Sequence, residues 1–570
     1  MILGDEIDEG QERYAFTWPG KADAIRQAQT STTATLRPDE ASSVNWDTTE
    51  NLYIEGDNLE VLKLLQRGYH GEVKLIYIDP PYNTGHDFVY KDSFQDSIEN
   101  YKEQAGLSGQ SNADTSGRYH SDWLSMMYPR LRLARELLRD DGVICISIDD
   151  HEVKGLRSIC DELFGETAFV AQLVWKSRQN KDNRTLTGVS VDHEYVLVYA
   201  KTAGARVFVG ADRDEDSYTN PDNDPKGPWA SANMVGLATA SARPNLHYDL
   251  VNPATGINYG CPDKGWRYDK TGMQRLIDEG LILWPEKPSG RPRRKKYLSE
   301  LSEKLPGFPS IIGTGLFTRD GSAEITELFG DTVFDFPKPS KLIEELIKQT
   351  TSDNDLVIDF FSGSASTAQA VLNANVDGSK RRFVLMQMPE KSFKGEAENQ
   401  GFENLCQIGE ERIRRAGQRI KEEVEKENAQ PKLGEEPKKV PDIGFRVLKL
   451  DSSNFDRVEG GALVEDLVKP GRTNDDIIFE MMLKWGLELS LPMEKTEVAG
   501  YPVTSIAADE LICCMDEDLT VEALEAIAAL EPKRVFFLDS VLTDTIKLNA
   551  AQIFKRVGDK FGYEIELRTA

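Results

Sequence analysis

The strongest restriction on the fold comes from an apolar strand pattern that runs directly into a polar turn. Residues 74–78 read KLIYI, and Asp79-Pro80-Pro81-Tyr82 follow at once. Upstream, from residue 51, the chain has the pattern of a short strand, a turn and an amphipathic helix. The segment therefore predicts a βαβ unit with polar residues gathered where a strand ends.

Two further segments repeat this alternation. Residues 128–142 have helical spacing, which predicts a helix ending at Gly142 before the strand VICISID. Residues 342–390 alternate again, from LIEELIKQTT through DLVIDFF, SGSAS and TAQAVLNAN to RRFVLMQMPE. Alternating strands and helices predict an α/β fold, a doubly wound Rossmann-like sheet whose ligands lie at the carboxyl ends of the strands.

The chain of 570 residues is long enough for several domains. Between the two halves of the sheet, Gly, Pro and Trp punctuate short strand patterns, which predicts an inserted domain. We expect an N-terminal arm, a catalytic half, an insert, a second half of the sheet and a small C-terminal α/β domain. The predicted boundaries are 1–50, 51–170, 171–333, 334–428 and 440–570.

Composition narrows the class of protein. Hydrophobic residues make up 39% of the chain, and we find no apolar run long enough to span a bilayer. The N-terminus lacks the basic-then-apolar order of a signal peptide, so we expect a cytoplasmic protein. The cysteines form no CxxC pair and the histidines are dispersed, so we expect no metal site. A formal net charge of -28 means that any contact with nucleic acid requires local basic patches.

The turn after the strand has residues suited to one reaction. An exocyclic amine of a nucleobase is a poor nucleophile because its lone pair is delocalised into the ring. The Asp79 carboxylate and the Pro80 carbonyl are acceptors that can bind both amine hydrogens and stabilise positive charge as it develops. Pro81 restricts the backbone that aims the Pro80 carbonyl, and Tyr82 offers a face on which an extruded base can stack. The alternative is a turn that only terminates a strand.

A second strand-end loop predicts a cofactor site. Small residues between a strand and a helix let backbone amides approach a ligand at the helix N-terminus. The candidate cofactor residues of this loop are Asp359, Phe361, Ser362, Gly363 and Ser364. Gln387 ends the next strand and is placed to bond ribose hydroxyls, although an uninvolved surface amide fits equally. The sequence has no phosphate-binding loop, so any ATP-driven step belongs to another chain.

The most basic stretch of the chain lies in the predicted insert. It reads GRPRRKKYL and is a candidate clamp for DNA phosphates, the alternative being a solvated loop. Its cations are Arg291, Arg293, Arg294, Lys295 and Lys296.

With these motifs in hand, the chain resembles the β group of amino-methyltransferases, in which DPPY precedes the recognition region and the cofactor motif follows it. The resemblance narrows to modification subunits of type III restriction-modification systems, on IYIDPPYNTG, ICISIDDHE, FDFPKPSKLIEELI and DFFSGSAST. It implies S-adenosylmethionine as cofactor and transfer to N6 of an adenine flipped out of duplex DNA. Lys338, Pro339 and Asp57 would join the cofactor pocket. The chain departs from the group's pattern at Ala365, where glycine is usual, and at Gln387, where many relatives have an acid.

The resemblance also implies partners: double-stranded DNA, a second copy of this chain, and an ATP-dependent restriction subunit. The C-terminal domain would then serve assembly. Two alternatives stay open. One is a cytosine-N4 methyltransferase, although such relatives more often carry Ser at the position of Asp79. The other is a recognition subunit that binds DNA for a nuclease and no longer transfers methyl groups.

Overall fold

A computed structural model describes residues 16–84, 120–183, 185, 187–211, 215–301, 305–391, 395–429, 437–460 and 463–569. In the described ranges the strands are β1 (Ala34–Val44), β2 (Leu52–Glu55), β3 (Val73–Ile78), β4 (Leu138–Ile148), β5 (Phe169–Trp175), β6 (Glu194–Ala200), β7 (Trp229–Asn233), β8 (Ile282–Leu283), β9 (Arg293–Tyr297), β10 (Ile311–Ile312), β11 (Leu356–Asp359), β12 (Arg382–Gln387), β13 (Phe445–Ser452), β14 (Phe455–Gly460), β15 (Leu463–Val468), β16 (Met493–Val498), β17 (Tyr501–Ile506), β18 (Leu511–Cys514), β19 (Arg534–Phe537) and β20 (Glu566–Thr569).

The helices of the same ranges alternate with these strands. They are α1 (Lys21–Gln29), α2 (Asn58–Leu65), α3 (His120–Leu137), α4 (Val153–Phe164), α5 (Lys270–Asp278), α6 (Thr318–Phe329), α7 (Ser340–Thr350), α8 (Ser366–Ala374), α9 (Gly395–Asn399), α10 (Leu405–Asn428), α11 (Asn474–Trp485), α12 (Val521–Ala528) and α13 (Asp544–Phe561). Across these ranges every helix is too short or too polar to cross a lipid bilayer.

One large mixed sheet organises the catalytic part of the chain. Among the described residues its strand order is β1-β13-β2-β12-β11-β3-β4-β6-β5-β10. The six strands from β13 to β4 are mutually parallel, and β1 and β6 add antiparallel strands at either side. The parallel strands are nearly continuous apolar runs because both of their faces are buried. The predicted α/β fold class is confirmed.

The strand order reverses between β3 and β11, which are parallel neighbours although more than 270 positions separate them along the chain. From β3 the chain continues outward to β4, and from β11 it continues in the other direction to β12. Ligands of such sheets bind beyond the carboxyl ends of the strands at this switch point. The strand-end residues Asp79 and Asp359 are thus brought to one place.

Several boundaries differ from those expected. The helix predicted to reach Gly142 ends at Leu137, and β4 begins at the next residue, with an irregular register before Val143. The segment expected as an N-terminal arm contributes β1 to the sheet. The first strand of the expected C-terminal domain, β13, also lies in that sheet, between β1 and β2. Long-range strand pairing decides these assignments.

The compact unit inside the predicted insert is narrower than residues 171–333. It comprises Val209–Pro309 and contains the small sheet β7-β9-β8. The flanking strands β5, β6 and β10 belong to the large sheet instead. The unit has its own core around Trp266, Met273 and Met234.

Near the C-terminus a five-stranded sheet, in the order β16-β17-β18-β19-β20, packs with α12 and α13. Its buried residues include Ile512, Val535 and Phe554. Helix α10 begins after Asn404, whose side chain accepts a hydrogen bond from the Gln407 amide.

Candidate active site

The turn after β3 is fixed by the residues that surround it. The Pro81 carbonyl accepts a hydrogen bond from the Trp123 indole at 2.6 Å. The Asn83 amide donates to Glu152 at 2.6 Å, and Asn83 itself has a left-handed backbone with a φ of 55°. Pro80 is buried. The Pro81 carbonyl is thus engaged by the Trp123 indole.

Asp79 belongs to a compact cluster of two acids, one lysine and one tyrosine. The Lys338 ammonium lies 3.1 Å from the Asp79 carboxylate and 3.1 Å from the Glu194 carboxylate. It also donates to the Tyr82 hydroxyl at 2.6 Å, and that hydroxyl donates to Glu194 at 3.1 Å. The ammonium lies 4.6 Å from the centre of the Tyr82 ring, within cation–π range.

Burial and charge act against each other on these groups. Burial raises the pKa of Asp79, the Lys338 ammonium opposes this, and the Glu194 carboxylate adds to it. Burial also acts to raise the pKa of Glu194, but Lys338 outweighs it and the pKa falls below its usual value. Burial acts to lower the pKa of Lys338, yet the two carboxylates keep it above its usual value. Lys338 therefore stays protonated between its two acids.

The second strand-end loop is organised by Asp359. Its carboxylate accepts hydrogen bonds from the Phe361 amide at 2.9 Å and from the Thr367 hydroxyl at 2.5 Å. Burial raises the pKa of Asp359 to about 7. Ala365 caps α8 in the left-handed region, with a φ of 61°. This is the conformation that explains why glycine is usual at this position, and here alanine adopts it.

Gln387, the last residue of β12, is buried and has a hydrogen bond at each end of its amide. Its side-chain oxygen accepts a hydrogen bond from the Gly363 amide at 2.8 Å, and its side-chain nitrogen donates to the Met388 carbonyl. The residue is 5% exposed. It is therefore not a surface amide: its oxygen holds the cofactor loop, and its nitrogen bonds the backbone of the next residue.

A cavity of about 210 Å³ joins the two loops at the switch point. Of the residues predicted from the sequence, it brings together Asp79, Lys338, Asp359, Phe361, Ser362, Gly363 and Ser364. The cavity is also lined by residues that the motifs did not indicate, namely Tyr77, Phe334, Asp335, Phe336, Pro337, Ile343, Ser366 and Thr367.

Two of the predicted cofactor residues, Asp57 and Pro339, do not line this cavity. Asp57 caps α2 by accepting hydrogen bonds from the Leu59 and Glu60 amides, and it lies 3.5 Å from the Arg130 guanidinium. Pro339 is buried and precedes the first residue of α7. Both residues shape the elements that carry the site.

The cavity wall suits a sulfonium nucleoside. The carboxylates of Asp79 and Asp335 offer negative charge to a cation, and the N-terminus of α8, whose dipole favours an anionic group, lies beside them. A Cβ added to Gly363 would lie 3.3 Å from the Phe334 ring. Glycine at this position therefore leaves space between the loop and Phe334 that a side chain would fill. Phe334, Phe336 and Phe361 add aromatic surface.

The basic run of the insert unit is partly neutralised. Most of its residues form strand β9. Arg294 forms an ion pair with Glu300, and Lys295 lies 2.8 Å from Asp224 and pairs also with Asp222. Arg293 donates to Ser231 at 2.7 Å and is exposed, as is Arg291.

Comparison with known proteins agrees with this geometry. Residues 73–394 match the family model of N6 and N4 methyltransferases, described as DNA methylase. The chain belongs to this family. The match begins with β3 and covers the DPPY turn, the insert unit and the cofactor loop. The chain is therefore a DNA methyltransferase that uses S-adenosylmethionine, as the resemblance implied.

Within the family the chain belongs with type III modification subunits. It is 28% identical to the EcoP15I Mod subunit of Escherichia coli and 30% identical to the EcoPI Mod subunit of Escherichia phage P1, covering 93% of each, with all of this chain aligned. It is 35% identical to the StyLTI Mod subunit of Salmonella typhimurium over 73% of this chain and 64% of that protein. Among solved structures, the PvuII DNA methyltransferase (cytosine-N4-specific) aligns with 65% of this chain and 94% of its own at 13% identity and a TM-score of 0.30.

The residue that sequence reasoning missed most clearly is Glu194. It opens strand β6, outside both motifs, and no local spacing relates it to Asp79 or Lys338. The available signal was a carboxylate at the start of an otherwise apolar strand, EYVLVYA. Its significance depends on sheet order, because β6 lies next to β4, which itself pairs with β3.

Proposed function

We propose that this methyltransferase modifies N6 of adenine in duplex DNA, with Asp79 and the Pro80 carbonyl accepting the two amine hydrogens. The observation that carries the proposal is the position of Asp79. Its side chain is 27% exposed, and it borders the cavity that also contains the cofactor loop. A base extruded from the duplex can reach such a site, whereas a stacked base cannot.

The chemistry follows from these acceptors. As the methyl group moves from the sulfonium to the exocyclic nitrogen, positive charge develops on that nitrogen. Two acceptors that bind its hydrogens stabilise the charge and favour the pyramidal form of the amine. The Tyr82 ring provides a stacking face beside them. The cofactor supplies the methyl group; Asp359, Gly363 and Ser364 would hold it against α8.

Replacing Asp79 with Ala tests the proposal. We expect methyl transfer to fall at least about 100-fold, because an acceptor needed mainly in the transition state is removed. The purified protein is incubated with labelled S-adenosylmethionine and mixed-sequence duplex DNA, and the DNA is digested to nucleosides. N6-methyl-2′-deoxyadenosine is the expected product. N4-methyl-2′-deoxycytidine would overturn the adenine assignment, and wild-type turnover by D79A would overturn the role of Asp79.

A separate control tests whether D79A remains folded. Its urea unfolding midpoint and its affinity for DNA should both stay close to those of the wild type. If the wild-type protein binds DNA but transfers no methyl group to any base, a silent recognition subunit becomes the better description.

We also propose that the exposed part of the basic run contacts DNA phosphates. Arg291 and Arg293 are its exposed arginines, whereas Arg294 and Lys295 are paired with acids of the same unit. R291Q/R293Q should weaken DNA binding and reduce the slope of log K against log salt by about one for each arginine that neutralises a phosphate. R275Q is the matched control, since Arg275 is an exposed arginine of the same unit. An unchanged slope in R291Q/R293Q would exclude the run from the interface.

The proposal for the partner subunits is based on the similar type III Mod subunits. We propose that the chain pairs with a second copy and with an ATP-dependent restriction subunit, through the C-terminal α/β sheet β16–β20 among other surfaces. The support is the alignment of the whole chain with type III Mod subunits. Light scattering of the purified chain, with and without residues from 493 onward, tests the contribution of this sheet to pairing.

A further inference from the structure

Glu194 lies in the active site but has no role in the reaction as described so far. It is the first residue of β6, its side chain is 18% exposed, and it accepts a hydrogen bond from Tyr82. Its carboxylate lies as close to the Lys338 ammonium as the Asp79 carboxylate does, at 3.1 Å in each case. The lysine is therefore shared between two acids.

This sharing sets the charge of the site. Two ionised carboxylates around one ammonium leave a net charge of one negative unit. The reaction brings a sulfonium cation to the site and moves positive charge onto the target nitrogen. A net negative charge near both groups favours their approach and stabilises the transition state, most strongly where water is excluded. If Asp79 paired with Lys338 alone, the ammonium would cancel the charge that the amine requires.

We infer that Glu194 is a positioning residue for methyl transfer, which draws Lys338 partly away from Asp79 and so keeps the Asp79 carboxylate available to the target amine. The inference rests on the proposed role of Asp79. Tyr82 couples the two acids, because its hydroxyl accepts from Lys338 and donates to Glu194. Lys338 lies against the Asp79 carboxylate in the absence of DNA, and Glu194 holds it when the amine takes its place on Asp79.

The charged and titratable groups that face Asp79 predict in which direction each substitution should shift the pKa of Asp79. Lys338 acts to lower the pKa of Asp79, whereas burial and Glu194 act to raise it. Tyr82 lies in the same cluster, Tyr77 and Asp359 on β3 and β11 also interact with Asp79, and Asp335 lines the same cavity. Transfer needs Asp79 ionised, so its rate falls as the pH drops through the pKa of this group. Removing Glu194 and removing Lys338 should therefore move the acid limb of the rate profile in opposite directions.

The experiment measures kcat and KM for DNA from pH 5 to 9 in E194Q and K338M. In E194Q we expect kcat to fall about tenfold or more with KM little changed, and the acid limb to move to lower pH. In K338M the acid limb should move to higher pH. A loss of structure would not shift the two limbs in opposite directions. E194D, which retains the carboxylate, should recover part of the missing kcat and provides a second variant if E194Q folds poorly.

D150N is the matched control. Asp150 follows β4 and accepts a hydrogen bond from Tyr195 of β6 at 2.9 Å, and the described ion pairs of Lys338 do not include it. The dependence of kcat on pH in D150N should match that of the wild type. Unshifted limbs in E194Q and K338M, or shifts in the same direction, would overturn the inference. D79A separates the two proposals: if D79A is inactive while E194Q behaves as wild type, only the role of Glu194 fails, whereas an active D79A refutes the proposed function itself.

Discussion

Arg412 forms the buried connection between the cofactor loop and the helices behind it. It lies on α10 with its side chain fully buried. Its guanidinium donates to Gln369 at 2.8 Å, to the Ser364 hydroxyl at 2.8 Å and to the Ser366 hydroxyl at 2.6 Å. It also forms an ion pair with Glu324 of α6 at 2.9 Å. Burial lowers the pKa of Arg412 to about 10, so it remains a cation at neutral pH.

Replacing Arg412 with Met should lower the free energy of unfolding by about 3–5 kcal/mol, because it removes one partner of a buried ion pair and leaves the other charge uncompensated. Glu324 would keep its hydrogen bond from the Ser340 amide, at 3.0 Å. The double variant R412M/E324M removes both charges and should be more stable than R412M alone. Since Ser364 lines the cofactor cavity, R412M should also weaken binding of S-adenosylmethionine.

Urea unfolding followed by circular dichroism gives the free energy, and calorimetric titration gives the affinity for the cofactor. The control is R419Q on the same helix, because Arg419 is 46% exposed and its ion pairs should contribute only about 0–1 kcal/mol. If R412M loses less than about 1 kcal/mol, or if the double variant is no more stable than the single one, the network does not fasten the loop as described.

Two further predictions concern the same region. Because burial raises the pKa of Asp359 to about 7 from an ordinary 3.8, the folded protein binds this proton more tightly than the unfolded chain, and the stability so contributed is lost as the pH rises from about 4 through about 7. D359N should therefore show a smaller drop in urea midpoint between pH 5 and pH 8 than the wild type, and an equal drop would contradict the assignment. Gly321 lies on α6, where a Cβ would come within 2.0 Å of the Pro337 carbonyl oxygen. G321A should cost about 2 kcal/mol or more and reduce cofactor affinity through the neighbouring Lys338, and an unchanged melting temperature would refute this packing.

The two strand-end motifs could be predicted from the sequence because their signals are local. An apolar run that ends in Asp79-Pro80-Pro81-Tyr82 specifies a strand and the turn after it, and DFFSGSAST specifies a strand, a loop and a helix start. Alternating patterns of this kind also determine the α/β class. Asp359 and Gly363 belong to these motifs, and both line the cavity.

What only the tertiary structure decided depends on contacts between residues far apart in the chain. The neighbouring positions of β3 and β11 join the two motifs in one cavity, and no spacing rule encodes which strands become neighbours. The order of strands in the sheet also brings Glu194 next to Lys338. Gln387 holds the Gly363 amide with its side-chain oxygen, a contact that its place at a strand end did not indicate. Side-chain partners are chosen by packing and by the need to satisfy buried polar groups, and both are properties of the folded chain as a whole.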